Sequence, residues 1–271
     1  MRKYVVFTDL DGTLLDHDSY SFAPAYPALR LLKEMDTPLV ICSSKTRKEI
    51  ERYRETLENR HPFIAENGGA IFVPRGYFSH LTPPAGFDLT FIEDYGVVIL
   101  GAPYCELRRA VRDLRTEGFG ITGFGDMTVE DVAKVSGLTE DEATLAKERE
   151  FDEPFLFEGD EVKERELIKA IRAKGFNFTQ GRFFHILGDS DKGKAVKILT
   201  ELYRQRYEEI STVALGDSLN DLPMLEWVDY PVLVKKPDGR HDRRIEIPRL
   251  IRAEGIGPVG WNKALLELFA T

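Results

Sequence analysis

The chain begins with a short unbroken apolar run, Tyr4-Val5-Val6-Phe7, that stops at two carboxylates, Asp9 and Asp11, followed by Gly12 and Thr13. An apolar run of this length, without the alternation of a half-exposed strand, predicts a strand covered on both faces, as in a parallel sheet. Pro38 to Cys42 and Phe63 to Ala65 repeat the pattern. Between them Thr46 to Leu57 has helical periodicity, with Thr46 and Glu49 spaced as a capping box. Strand, helix and strand in this order predict parallel pairing with right-handed crossovers. The same order returns late in the chain, with a helix over Lys192 to Tyr207, a strand over Thr212 to Leu215, a short helix over Leu222 to Val228 and a strand over Pro231 to Val234.

The middle of the chain follows another pattern. Thr82-Pro83-Pro84-Ala85-Gly86 interrupts the alternation. Beyond it the pattern predicts a strand over Val97 to Leu100, helices over Tyr104 to Glu117 and Thr139 to Glu148, a strand over Phe155 to Phe157 and a helix over Glu161 to Lys174. Phe176 to Leu187 reads as a hairpin turning near Gly181-Arg182. The expected organisation is a parallel α/β domain made of residues 1–83 and 189–271, with an α+β unit over 84–188 inserted into it. Gly118 to Gly123 fits the dinucleotide pattern GxGxxG, yet it follows a helix and opens none, so it is read as a glycine-rich loop.

Composition narrows the function. At 42% hydrophobic the chain can build a full core, and no apolar run approaches the roughly eighteen residues of a membrane helix. A protein in the cytoplasm is expected. The formal charge of −9 argues against nucleic acid as partner. Cys42 and Cys105 lack the spacing of a disulfide framework or metal site and read as buried thiols. One basic run, Lys235 to Arg244, reads either as a solvated loop or as an anion site.

The chemistry-bearing residues stand at the ends of predicted strands. Asp9 and Asp11 follow the first strand; Ser43 and Ser44 follow the second and lead into a helix N-terminus, where free N–H groups and hydroxyls suit a phosphoryl oxygen or simply cap the helix. Lys192 opens a helix, and Gly216-Asp217-Ser218-Leu219-Asn220-Asp221 follows another strand. Several acids, a lysine and a serine fit phosphoryl transfer, in which a hard cation such as Mg²⁺ takes carboxylate oxygens and offsets the phosphate charge.

In this order the motifs resemble those of the haloacid-dehalogenase superfamily of phosphohydrolases, and the insert resembles that family's larger cap, type IIB. The resemblance implies a Rossmann-like core and makes Asp9 the nucleophile, Asp11 the acid and base, and Lys192 a further catalytic and phosphate-binding residue. It implies that Ser43, Ser44 and Asn220 contact phosphate, and that Asp9, the Asp11 backbone carbonyl, Asp217 and Asp221 surround Mg²⁺.

A narrower resemblance rests on Glu66-Asn67-Gly68-Gly69, Arg149 to Phe155, Gln180 to His185 and Gly257 to Asn262. These segments are similar to those of mannosyl-3-phosphoglycerate phosphatases, which implies a small phosphorylated sugar-acid substrate. Arg182 and His185 are then candidates for its carboxylate, and Glu150, Asp152 and Gln180 for its sugar hydroxyls. Alternatively Arg182 is only a turn residue and Glu150 to Glu153 a solvated charge run. Another sugar phosphate, a phosphomutase reaction and a non-catalytic phosphosugar sensor stay open as other functions. Cap closure, with hinges near Pro83-Pro84 and Gly188, is expected on general grounds.

Overall fold

The computed structural model describes residues 3–78, 82–83, 87 and 89–270. Thirteen strands and nine α-helices are formed among them. The first part of the chain contributes β1 (Lys3–Thr8), α1 (Tyr26–Glu34), β2 (Leu39–Cys42), α2 (Arg47–Thr56), β3 (Phe63–Ala65), β4 (Ala70–Pro74), β5 (Leu89–Ile92) and β6 (Tyr95–Ile99). The middle contributes α3 (Tyr104–Thr116), β7 (Gly120–Gly123), α4 (Val129–Ser136), α5 (Glu140–Ala146), β8 (Asp152–Glu158), α6 (Glu161–Ala173), β9 (Asn177–Gln180) and β10 (Phe184–Leu187). The last part contributes α7 (Lys192–Arg206), β11 (Ile210–Gly216), α8 (Leu222–Trp227), β12 (Tyr230–Lys235), β13 (Ile251–Ile256) and α9 (Gly257–Phe269).

A nine-stranded sheet runs β13-β12-β11-β1-β2-β3-β4-β6-β5. Its strands from β13 to β3 are parallel, and β4, β6 and β5 continue it antiparallel. Alternation along β1 explains why both faces are covered. Val5 and Phe7 pack with Ala195, Leu199 and Tyr203 of α7 and Met224 of α8, while Val6 packs with Leu32, Ile50 and Trp261 from α1, α2 and α9. β1 lies where the strand order reverses, flanked by β11 on one side and β2 on the other. Its carboxyl end therefore opens into the crevice that such sheets reserve for ligands.

A second, four-stranded antiparallel sheet runs β7-β8-β10-β9. Leu107, Val111 and Leu114 of α3 and Leu167 and Ile171 of α6 bury Ile121, Phe155 and Ile186 of that sheet. The chain enters this unit past Gly101 and leaves it past Gly188, and the two connections touch. A Cβ on Gly188 would lie 2.3 Å from the Ala102 nitrogen, and one on Gly101 would lie 2.8 Å from Phe151 Cβ. Only glycine fits either place.

Two expectations are revised, and a third falls on residues that are not described. The boundary at Pro84 lies outside the described residues. The β5–β6 hairpin that follows it extends the large sheet, and the first strand of the second sheet comes after Gly101. Gly120–Gly123 is strand β7, not a loop: its first glycine lets the Glu158 carbonyl approach, 2.9 Å from where a Cβ would sit. Cys42 is buried as expected, but Cys105 is exposed on α3. No helix among the described residues is long and apolar enough to cross a membrane.

Candidate active site

The site forms where the ends of β1, β2 and β11 meet the start of α7. Asp9 accepts a hydrogen bond from Lys192 Nζ at 2.7 Å, and the same ammonium donates to Asp221 Oδ1 at 2.6 Å. The other Asp221 oxygen accepts from the backbone N–H groups of Asp217 and Ser218, at 3.0 and 3.1 Å. Asp221 thus shapes its own loop and holds the lysine. Gly12, at φ +76, passes so close to Asp217 that a Cβ would lie 3.1 Å from Asp217 Oδ2, which is why a glycine follows the two acids of β1. Asp191 caps α7 by accepting from Lys194 N, so Lys192 sits in the first turn of that helix.

Asp9, Asp217 and Asp221 bring one oxygen each within 4.8 Å of one another. All three are buried. Burial pushes the Asp9 carboxyl well above the usual carboxylate range; Lys192 draws it down, and the charges of Asp221, Asp217 and Asp11 push it up. Burial, reinforced by Asp221, likewise pushes Asp217 up to about 7, against the Ser218 hydrogen bond, Lys236 and Lys192. Burial opposes the Lys192 charge, but Asp221 and Asp9 hold its ammonium above the usual lysine range. Crowded, dehydrated carboxylates with only oxygen donors to offer fit a hard divalent cation, whose charge would relieve them. Both Asp221 oxygens are already engaged, whereas Asp9 and Asp217 each keep one free of hydrogen bonds among the described residues.

The Asp11 side chain stands apart from that trio. Its Oδ2 meets Lys45 Nζ at 3.1 Å, and its Oδ1 is buried with no hydrogen-bond partner among the described residues. Lys45 also pairs with Glu49 at 3.3 Å and lies over the rings of Tyr20 and Tyr53.

A cavity of ≈ 200 Å³ opens above these groups between the two sheets. Asp9, Asp11, Ser44, Asp217 and Asn220 line it from the large sheet's side, and Arg182 and His185 from the second unit. Ser43, fully buried, stands just behind Ser44 at the end of β2. The remaining expected residues are placed differently. Glu150 turns to Arg47, with 3.5 Å between their charged atoms. Gln180 is half-buried in β9 and does not line the cavity. Asp152 is fully buried behind His185 and accepts from its Nδ1 at 2.8 Å and from Asn67 Nδ2 at 2.6 Å. The reading of Glu150 to Glu153 as a solvated charge run fails, because Asp152 and Glu153 are both fully buried.

Sequence reasoning missed Lys45, Arg149 and Tyr20 and left Lys236 in a basic run with two readings; all four line the cavity. Arg149 donates to the Ser44 carbonyl at 2.7 Å, and the Tyr20 hydroxyl donates to the Ser136 carbonyl and accepts from Arg182. Lys45 stands beside the serine pair in the chain, a cation next to hydroxyls at a strand end, and that adjacency was the available signal. The two units are joined further by Glu66, whose carboxylate accepts from the backbone N–H groups of Glu150 and Phe151. Glu66, Asn67 and Gly68 all have positive φ, a strained turn held in place by these contacts.

Comparison with known proteins agrees with this geometry. Residues 6–80 and 129–238 match the haloacid dehalogenase-like hydrolases. The chain is 53% identical over 268 residues to a glucosyl-3-phosphoglycerate/mannosyl-3-phosphoglycerate phosphatase of Methanococcoides burtonii, covering 98% of this chain and 97% of that one. It is 40% identical over 239 residues to a mannosyl-3-phosphoglycerate phosphatase of Pyrococcus furiosus, covering 88% and 93%. In structure it is similar, with a TM-score of 0.68 at 17% identity over 99% and 96% of the two chains, to a phosphatase of the same superfamily from Bacteroides thetaiotaomicron.

Proposed function

The chain belongs to the haloacid dehalogenase-like hydrolases, and we propose that within them it is a phosphomonoesterase converting mannosyl-3-phosphoglycerate to mannosylglycerate and phosphate. The observation that carries the chemistry is the Lys192 ammonium bridging Asp9 and Asp221 at the end of β1, with Asp217 beside them. The substrate reading is supported by the relatives named above. One of them carries both substrates in its name, which favours glucosyl-3-phosphoglycerate as a second substrate of the same site.

In this reading an Asp9 oxygen attacks phosphorus in line, the bond from phosphorus to the glycerate oxygen breaks, and Asp11 gives its proton to that oxygen. Asp11, now ionised, takes a proton from water as the water oxygen attacks phosphorus. The bond from phosphorus to Asp9 then breaks, and inorganic phosphate leaves. The unpartnered Asp11 Oδ1 is the atom free for this exchange. Lys192, Ser43, Ser44 and Asn220 hold the phosphoryl oxygens. Asp9, Asp217 and the Asp11 carbonyl would hold Mg²⁺, with Asp221 orienting Lys192 and the loop; the cation supplies neutralising charge to the phosphoryl group.

The unit between Gly101 and Gly188 acts as a cap, and its Arg182 and His185 face the part of the substrate that does not react. The glycines at its two connections are the hinge positions. Phosphate release from mannosyl-3-phosphoglycerate, glucosyl-3-phosphoglycerate, sucrose phosphate and hexose phosphates, ranked by kcat/KM, tests the reading. We expect the two phosphoglycerates to lead by at least about a hundredfold. A hexose phosphate in first place, or an isomer formed without free phosphate, overturns it.

A further inference from the structure

The basic run Lys235 to Arg244 has no part in the chemistry above, yet the fold brings two of its residues to the cavity. Lys236 and Pro237 line it beside Asp217 and Ser218, on the side of the large sheet. The loop that carries them is braced from within. Lys236 N donates to the Arg240 carbonyl at 2.9 Å, Gly239 N to the Lys236 carbonyl at 2.8 Å, and Arg240 N to Asp238 Oδ1 at 3.0 Å.

The Lys236 ammonium is also held. Asp242 Oδ2 accepts from its Nζ at 2.8 Å, and the same carboxylate takes Arg244 Nε at 2.9 Å and Nη2 at 2.7 Å. The Asp242 side chain is 5% exposed, and that of Lys236 is 30% exposed. Hydrogen bonds from Arg244, ahead of those from Lys236, keep the Asp242 carboxyl ionised well below the usual range. One carboxylate therefore serves two cations, and the trio carries one positive charge in excess beside the cavity, where Lys236 also faces Asp217, in a protein of net charge −9.

An oriented cation fixed on the large sheet stays at a constant distance from Asp9 when the cap moves. Arg182, on the cap, does not. A 3-phosphoglycerate has only two carbons between its carboxyl carbon and its phosphate-ester oxygen. When phosphorus is at Asp9, the carboxylate must therefore lie close by, within reach of groups on the large sheet.

We propose that Lys236, positioned by Asp242, binds the glycerate carboxylate and makes the site specific for phosphate esters that carry a carboxylate two carbons from the ester oxygen. The inference rests on the substrate class proposed above and names the residue that selects it.

The test compares mannosyl-3-phosphoglycerate with its carboxyl methyl ester, which keeps sugar and phosphate and loses the charge. Wild-type enzyme, Lys236→Met, Lys236→Arg and Arg182→Met are each measured on both compounds. We expect the wild-type ratio of kcat/KM, acid over ester, to fall about 10- to 100-fold in Lys236→Met, the usual range for one charged hydrogen bond. The fall should lie mainly in KM for the acid, and Lys236→Arg should restore most of the ratio. Asp242→Asn should lower the ratio in part, because the ammonium loses its anchor.

Collapse of the ratio in Arg182→Met with no change in Lys236→Met overturns the inference. So does an equal loss on both compounds in Lys236→Met, which would make the lysine a counter-charge for Asp217 alone. Failure of the wild-type enzyme to release phosphate from mannosyl-3-phosphoglycerate is a separate outcome and defeats the substrate reading itself. Equal turnover of acid and ester by wild type defeats the carboxylate contact while leaving that reading standing.

Discussion

Lys192 Nζ lies 2.7 Å from Asp9 Oδ1 although 183 positions of chain separate the two residues. The contact joins the end of β1 to the start of α7 and leaves Asp9 dehydrated among other acids. Asp9→Asn is expected to lower phosphate release by about 10⁴-fold or more, as loss of a nucleophile does. The same change should not lower the melting temperature of the cation-free protein. Burial raises the Asp9 pKa, so ionising this carboxyl costs the folded state more than the unfolded one, and in the variant Lys192 keeps its bond to Asp221. Phosphate assays and thermal melts of the two proteins check both statements; wild-type turnover in the variant removes Asp9 from its role.

Asp217 governs how cation binding depends on pH. Its folded pKa, raised from 3.8 to about 7, means that the native protein without cation binds a proton more tightly than the unfolded chain. That stabilising effect is complete below about pH 4 and is lost as pH rises through 7. Bound cation must displace the proton, so the rise in melting temperature caused by millimolar Mg²⁺ should be larger at pH 8 than at pH 6. Asp217→Asn should weaken that rise at both values. Equal shifts at pH 6 and pH 8 in the wild-type protein would contradict the assignment.

Gly68 connects strain to the position of the lysine. At φ +91 an added Cβ would lie 2.1 Å from the carbonyl oxygen of Asp191, the residue before Lys192. Backbone stands in the way, so Gly68→Ala should cost about 3 kcal/mol or more of stability. It should also lower kcat more than Gly76→Ala, because Gly76 has nothing within 4 Å of its Cβ position. Chemical denaturation and steady-state kinetics on the pair separate backbone strain, common to both, from displacement of Lys192.

His61 controls stability in acid far from the site. Its Nδ1 lies 2.7 Å from the Tyr77 hydroxyl, which in turn meets Tyr203 at 3.0 Å. Burial, the largest effect, pulls its pKa from 6.5 down to about 4. A histidine with a depressed folded pKa contributes stability above its unfolded pKa and loses it as pH falls through the folded one. The protein should thus lose about 3 kcal/mol between pH 6.5 and pH 4 through this residue. His61→Gln should flatten the acid limb of the stability profile; an unchanged limb would show that other groups set it.

The parts legible in the sequence are those whose meaning is local. An apolar run ending in acids, a serine pair opening a helix and the capping box of Thr46 and Glu49 stand within a few residues of each other, and all are realised in the structure. What escaped depends on distant partners. Glu153 looks like part of a charged surface run until Arg108 and Tyr104, 45 and 49 positions away, are seen to receive it. Asp152 depends on Asn67, 85 positions away. Helix α9, which opens with Gly257, Pro258 and Gly260, has no counterpart among the elements expected from the sequence. Gly260 in fact lets the helix approach Gly255, whose carbonyl would lie 2.4 Å from a Cβ there. Lys236 stood in a run whose two readings could not be separated until the loop was seen to reach the cavity.

Gly101 and Gly188 lie against each other where the chain passes into the second sheet and returns. The inserted unit thus departs and comes back through a single doorway, leaving the nine-stranded scaffold and its reacting groups complete on the near side. A different insert spliced between the same two glycines would meet an unchanged cluster of Asp9, Asp217, Asp221 and Lys192. On this architecture, the contacts that Arg182 and His185 offer can be exchanged as a module, while Lys236 stays with the scaffold.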